Sequence, residues 1–177
     1  MGGRIRYDSE HTDATTSTVT IEVPRFVAPP TSVDNFGDRG IQMAKAMYEI
    51  DGHDFATLDE FYDVVSRGLI PGAEWGRNLD AFNDILRGGF GTPEGGFVLR
   101  WVNSGLSRDR LGYPETVRQL EHRLARCHPT NRGYVAVDLE RARQGLGPTV
   151  FDWLVEIIVA HAKGGAEEED GVELVLA

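Results

Sequence analysis

Asp80 and Asp84 stand four residues apart in the stretch Glu74-Trp75-Gly76-Arg77-Asn78-Leu79-Asp80-Ala81-Phe82-Asn83-Asp84-Ile85-Leu86-Arg87-Gly88. If the chain is helical from Leu79, both carboxylates fall on one stripe. Three chemistries suit such a pair. Acids near a helix start complement its dipole, worth about 0.3–1 kcal/mol, which fits Asp80 better than Asp84. A carboxylate dyad can hydrolyse bonds, yet nothing else here marks a substrate cleft. A cationic partner is the third option. Like charges at this spacing cost about 0.2–0.5 kcal/mol, and a desolvated interface pair, worth about 2–5 kcal/mol, more than offsets that. On spacing alone the first reading is the commonest for surface acids.

Other clusters are weaker. His122, Cys127 and His128 are metal-like but lack a fourth ligand, and a lone cysteine just past a helix is more often packing. Gly88 to Gly96 leads into a strand and has no P-loop lysine, so it reads as a connector and interface rim rather than a phosphate cradle. His53-Asp54 has no nucleophile or second base nearby and reads as solvent-facing. Arg108, Arg110, Arg118, Arg123 and Arg126 form either a basic face or, given Glu115 and Glu121 among them, a salt-bridged helix. No metal or cofactor is expected.

The elements that must position the carboxylates are legible. Asn78 is a good N-cap, and Leu79, Phe82, Ile85 and Leu86 form an inward face that leaves Asp80, Asn83, Asp84 and Arg87 outward. Upstream, residues 44–50 alternate like a strand ending at Asp51-Gly52. Thr57 and Glu60 have capping-box spacing before Leu58, Phe61, Val64 and Val65, and Gly68 is a stop. Downstream, Phe97 to Trp101 is an apolar run of strand length. A helix follows Pro114, carrying Val117, Leu120 and Leu124, and residues 139–144 suggest another turn or two. Thr149 and Asp152 cap an apolar helix over 150–162, Glu167 to Asp170 form an acidic turn, and residues 172–176 read as a final strand. Strand, helices, strand, helix, strand predicts an α/β fold with a partly parallel sheet. Residues 1–40 differ: a polar tail, then Val19, Ile21 and Val23 in alternation, which suggests an arm, partly disordered or an added edge strand.

The 177 residues suit one ordinary domain. Hydrophobic residues make up 41% and charged residues 26%, which excludes a wholly disordered chain. A net charge of −10 argues against sequence-independent nucleic-acid binding and suits a basic partner. The segment 102–147 departs from this, with eight arginines and five acids. One cysteine excludes an intrachain disulfide. The N-terminus lacks a signal-peptide apolar stretch, Arg6 breaks the myristoylation pattern, and no run reaches membrane-spanning length. These features predict a soluble, cytoplasmic protein.

Trp75-Gly76-x-Asn78-Leu79-Asp80-Ala81-x-x-Asp84-x-Leu86-x-Gly88 resembles the signature of the barstar family, intracellular inhibitors of secreted barnase-like ribonucleases. The strand end at Ile50-Asp51-Gly52, the run Phe97-Val98-Leu99-Arg100-Trp101 and the strand at 172–176 resemble family elements in the same order. The resemblance implies a three-stranded parallel sheet flanked by helices over 41–177, with an extra helical insertion at 102–147. It implies an antitoxin or immunity protein, not an enzyme, that plugs the active site of a basic secreted ribonuclease with no direct contact to nucleic acid or membrane. Asp84 matches the position entering that site most deeply, Asp80 a second contact acid, and Trp75, Gly76 and Asn78 the loop lying over the enzyme. Glu74 stands where a contact tyrosine is usual and Asn83 where an outward aromatic is usual. Gly89 replaces another aromatic, with Phe90 beside it. Glu74, Asn83, Gly88 and Phe90 therefore join the expected contact set. Arg77 places a cation in a loop meant to meet a cationic enzyme. A further family acid falls at Ala160 or His161, and its role does not carry over. The alternative is a barstar-fold immunity or interaction protein for a different toxin or regulatory partner. The inhibitory role requires both aspartates to face outward and not to be neutralised by their own chain.

Overall fold

The computed structural model describes residues 45–89 and 91–177; the arm expected over 1–40 lies outside them. Three strands, β1 (Ala46–Asp51), β2 (Phe97–Val102) and β3 (Glu173–Leu176), form a sheet in the order β1-β2-β3. Both pairings are parallel, with Tyr48 opposite Leu99 and Leu99 opposite Leu174. Parallel neighbours require long crossovers, and helices supply them. Helices α1 (Leu58–Gly68) and α2 (Leu79–Leu86) lie between β1 and β2 in sequence. Between β2 and β3 come α3 (Ser104–Arg110), α4 (Tyr113–Arg126), α5 (Arg132–Arg143) and α6 (Val150–Ala160). The fold is the expected α/β arrangement, a three-stranded parallel sheet flanked by helices.

Alternation along β2 decides where the core sits. Phe97, Leu99 and Trp101 are buried, while Arg100 points to the other face and pairs with Glu49 of β1 at 2.8 Å. Trp101 is the hub. Phe61 of α1 stacks on it with centroids 5.6 Å apart, Phe151 of α6 meets it at 5.1 Å, and Phe82 of α2 meets Phe61 edge-on at 5.3 Å. The indole N–H of Trp101 donates to Ser107 Oγ at 2.9 Å, so this large side chain leaves no unpaired polar atom in the core.

Several elements differ from the expectation. Helix α3 follows Asn103, a left-handed residue with φ 53°, in a stretch too poor in apolar residues to show a helical period. Helix α5 covers twelve residues rather than a turn or two. Val135, Leu139 and Ala142 face inward, but Tyr134 and Val137 lie exposed and blur its amphipathic pattern. At Thr57 only half of the capping box forms. Thr57 Oγ1 accepts from the Glu60 N–H, while the Glu60 carboxylate accepts from Ala56 instead of Thr57. The box at Thr149 and Asp152 is complete.

Helices α4 and α5 pair around their own small core of Leu120, Val135, Leu139 and Ala142, and Trp153 packs against both this core and the main one. Glu115 moors α4 to α1. Its buried carboxylate accepts from the Leu58 N–H at 2.9 Å and from Arg118 at 2.7 Å, and Arg118 also reaches Asp59 at 2.8 Å. Burial opposes the Glu115 charge, but the hydrogen bonds from Arg118, Gln119 and Leu58 outweigh it and hold the carboxyl below its usual range. Among the described residues, no helix is long and apolar enough to cross a membrane.

Candidate functional site

The loop before α2 is braced from α1. Trp75 is half-buried; its indole N–H donates to Ser66 Oγ at 2.8 Å, and its ring meets Tyr62 edge-on at 5.2 Å. Arg77 adopts a left-handed backbone, φ 46°, which an L-residue holds only when its surroundings fix it. Its guanidinium supplies that constraint, binding Asp63 at 2.7 Å and the Asp59 carbonyl at 3.1 Å. The loop cation is thus turned back onto α1 and answered there. Burial first, and then the nearby Asp59 and Asp80 charges, push the Tyr62 phenol upward, keeping it a neutral post under the loop.

Asn78 caps α2 with its side-chain oxygen on the Ala81 N–H at 2.8 Å, while its amide nitrogen donates to the Gly76 carbonyl at 3.2 Å. A Cβ on Gly76 would come within 2.9 Å of that amide nitrogen, so the position favours glycine. The inward face is Phe82, Ile85 and Leu86, as expected, and Asp80 and Asp84 are exposed on the opposite side. Glu74 is exposed as well. The helix ends at Leu86 with Arg87 as its cap, and the chain then turns at Gly88, whose φ of 92° is left-handed, with the Glu94 backbone 3.1 Å from where a Cβ would stand. Phe90 lies outside the described residues.

The two carboxylates differ. Asp80 forms no ion pair with any described residue. Asp84 does not meet the requirement of being unneutralised, because Arg87 Nη1 lies 2.9 Å from its Oδ1. The same guanidinium is gripped by Glu167 at 2.6 and 3.0 Å. One cation therefore serves two acids, and the trio keeps a net negative charge. Glu167 raises the affinity of Arg87 for its proton, and Arg87 in turn lowers the Glu167 carboxyl.

Asn83 also departs from the expectation of an outward side chain. It is half-buried, and its amide meets Nε2 of the fully buried His161 at 2.9 Å. Nδ1 of His161 lies 2.6 Å from Asp170; a carboxylate only accepts, so Nδ1 carries a proton toward it. This chain of contacts fastens the middle of α2 to the end of α6 and the turn before β3. It was not legible in the sequence, because Asn83 and His161 are 78 positions apart.

His161, Glu167 and Asp170 are the one His/Cys/Asp/Glu group among the described residues with donor atoms close enough for a metal, within 4.8 Å of one another. Asn83, Arg87 and the internal His161–Asp170 bond already engage those atoms, which suits a structural network. His122, Cys127 and His128 form no such group; Cys127 Sγ contacts the Leu124 carbonyl and His128 contacts Thr130. His53 turns back to Asp51 at 3.1 Å. A backbone hydrogen bond from His53, then Asn103, lowers the Asp51 carboxyl. Of the five arginines weighed above, Arg108, Arg110 and Arg118 have partners in the chain, and Arg123 and Arg126 have none among the described residues.

The arrangement is an acidic projection on a braced loop. Comparison with curated proteins gives no match. A family model described as Barstar (barnase inhibitor) matches residues 46–128, from β1 past the end of α4, and so includes the whole loop and α2. Residues 46–128, just under half of the chain, are thus similar to the barstar family, and the three-stranded parallel sheet flanked by helices is consistent with a barstar-like fold.

Proposed function

We propose that the protein binds the active site of a basic, barnase-like ribonuclease and blocks it with the acidic stripe of α2 and the loop before it. The observation that carries this is the pair Asp80 and Asp84, exposed on one stripe of a helix that is capped, packed and tethered along its length. An enzyme that cleaves RNA presents Arg, Lys and His to a phosphodiester, so its cavity is concave, cationic and suited to an anion. Carboxylates on a preorganised helix occupy that cavity without being cleaved, and rigidity reduces the ordering cost of binding. The contact surface comprises Glu74, Trp75, Gly76, Asn78, Asp80, Asn83, Asp84, Gly88 and Phe90, with Trp75 and Asn83 acting largely through the bonds that hold the loop and helix.

Arg87 qualifies this role without removing it. Both halves of its pair with Asp84 are about half exposed, at 49% and 53%, and such pairs are weak and screened by solvent. A cation fixed in an enzyme cavity and shielded from water competes well against it. The protein acts in the cytoplasm on an enzyme destined for secretion, and it needs no cofactor and performs no turnover. The test is a ribonuclease assay with purified protein. Inhibition at near-stoichiometric protein, lost in Asp84→Ala, is expected; no inhibition, or full inhibition by Asp84→Ala, overturns the proposal.

A second partner class is favoured by one observation. The Asn83 side chain is engaged by His161, so α2 offers no outward aromatic there. This suits an immunity or interaction protein for a different toxin or regulatory partner. A stable complex with a non-nuclease recovered from the host would decide for it.

A further inference from the structure

A groove of about 420 Å³ opens beside Asp80, between the first turn of α2 and helix α4. Resting on the reading that α2 meets a basic ribonuclease, we propose that this groove receives an acidic side chain of that enzyme. The interface is then bipolar: carboxylates of α2 enter the enzyme, and a carboxylate of the enzyme enters here.

The charges along the groove carry the inference. Its α4 side bears His122, Arg123 and Arg126, all exposed. Arg123 and Arg126 make no ion pair or side-chain hydrogen bond with any described residue. Their neighbours behave otherwise: Arg118 binds Glu115 and Asp59, and Arg143 binds Glu121 at 2.8 Å. On the opposite side Asp59 is therefore already matched, leaving Asp80 as the one acid lining the groove with no ion pair among the described residues. A chain of net charge −10 thus places next to its candidate binding helix two guanidinium groups unanswered by any described residue. Arginine forks bind carboxylates through paired N–H groups, so the chemistry fits a carboxylate.

Shape and surroundings select a protein side chain over a nucleic acid. The groove is floored by Tyr62, Leu79, Leu120 and Trp153, surfaces that pack the stem of a side chain. Its size lies in the range of ordinary ligand sites, roughly 300–1,000 Å³. A run of phosphates lying in it would pass Asp80 and face like charge. One carboxylate on an apolar stem, held at the arginine side, brings a single charge near Asp80 rather than a run of them.

The experiment measures binding kinetics of the full chain and a purified barnase-like ribonuclease at several salt concentrations. Arg123→Glu with Arg126→Glu is expected to weaken binding by at least about tenfold and to alter the salt dependence of association. Because neither arginine side chain bonds to a described residue, circular dichroism should be unchanged. An alanine scan of the enzyme's acids should find one whose loss is non-additive with Arg123→Ala or Arg126→Ala. Binding by the double variant within about twofold of wild type, while Asp84→Ala still loses it, overturns this inference and leaves the inhibitory role standing. No binding by the wild-type chain overturns both. Arginine-dependent binding of single-stranded RNA at physiological salt overturns the inference in favour of a nucleic-acid site.

Discussion

Asp84 and Arg87 face each other across one turn of α2 at 2.9 Å, and Glu167 clasps the far edge of the same guanidinium. The acid proposed to enter the partner therefore has an exposed counter-ion of its own before the partner arrives. Asp84→Ala is expected to weaken binding to a barnase-like ribonuclease by about thirtyfold or more, the equivalent of roughly 2 kcal/mol for a desolvated interface charge. Arg87→Ala adds net negative charge to the same face, so it should speed association with a basic enzyme at low salt and lose that advantage at high salt. Stopped-flow association rates check both outcomes.

The brace under the loop can be tested through Ser66. Ser66→Ala removes the acceptor of the Trp75 indole N–H without touching the exposed surface of the loop. A loss of about 1 kcal/mol in urea unfolding is expected, the usual value of one hydrogen bond. Ser66 Oγ also donates to the Tyr62 carbonyl at 2.8 Å, so an unchanged stability would count against both bonds.

Gly88→Ala forces a side chain into a left-handed conformation against the Glu94 backbone. Destabilisation by more than about 1 kcal/mol is expected, and the shift in denaturant midpoint reads it directly. Gly89, also left-handed but with open space around it, should pay only the conformational part, so Gly89→Ala should shift the midpoint less.

The mooring of α4 to α1 should appear in the pH dependence of stability. The Glu115 carboxyl is lower in the folded protein than its ordinary value of 4.5. A lowered folded-state value means the contribution is complete above the unfolded value and disappears as pH falls through the folded one. Wild-type stability should therefore drop between about pH 5 and pH 3, and Glu115→Gln should show a shallower drop from a lower starting point. Urea midpoints over that range give the comparison.

His161→Leu strips partners from Asn83 and Asp170 at once. A cost of about 1–3 kcal/mol is expected from the groups left unpaired. Because the middle of α2 is then untied, inhibition should fall alongside stability, whereas Asp80→Ala should reduce inhibition with little change in stability.

Where an element carried its own local signals, the sequence was enough. Asn78 with its apolar face, the Thr149 box and the alternation in β2 each act within a few residues, and each formed as read. The helices α3 and α5 lacked such signals: α3 is short and polar, and α5 is apolar on two faces. At the candidate site, residue type singled out Trp75, Asp80 and Asp84, but not what each side chain meets within the chain. Trp75 is tied to Ser66, Arg77 to Asp63 and Asn83 to His161, through packing of α1 and α6 that no spacing rule encodes. The same limit hid the contrast between Arg118, which is matched, and Arg123 and Arg126, which have no partner among the described residues.

A pre-engaged Asp84 makes recognition an exchange reaction. An incoming cation must displace Arg87, so the free energy gained reports the difference between two counter-ions rather than the full strength of the new one. Diffuse or mobile positive surfaces, which improve little on Arg87, gain almost nothing from contact. Under the proposed role, a fixed cluster of cations in a dry cavity gains more from Asp84, because it improves on the weak, solvent-screened pair with Arg87.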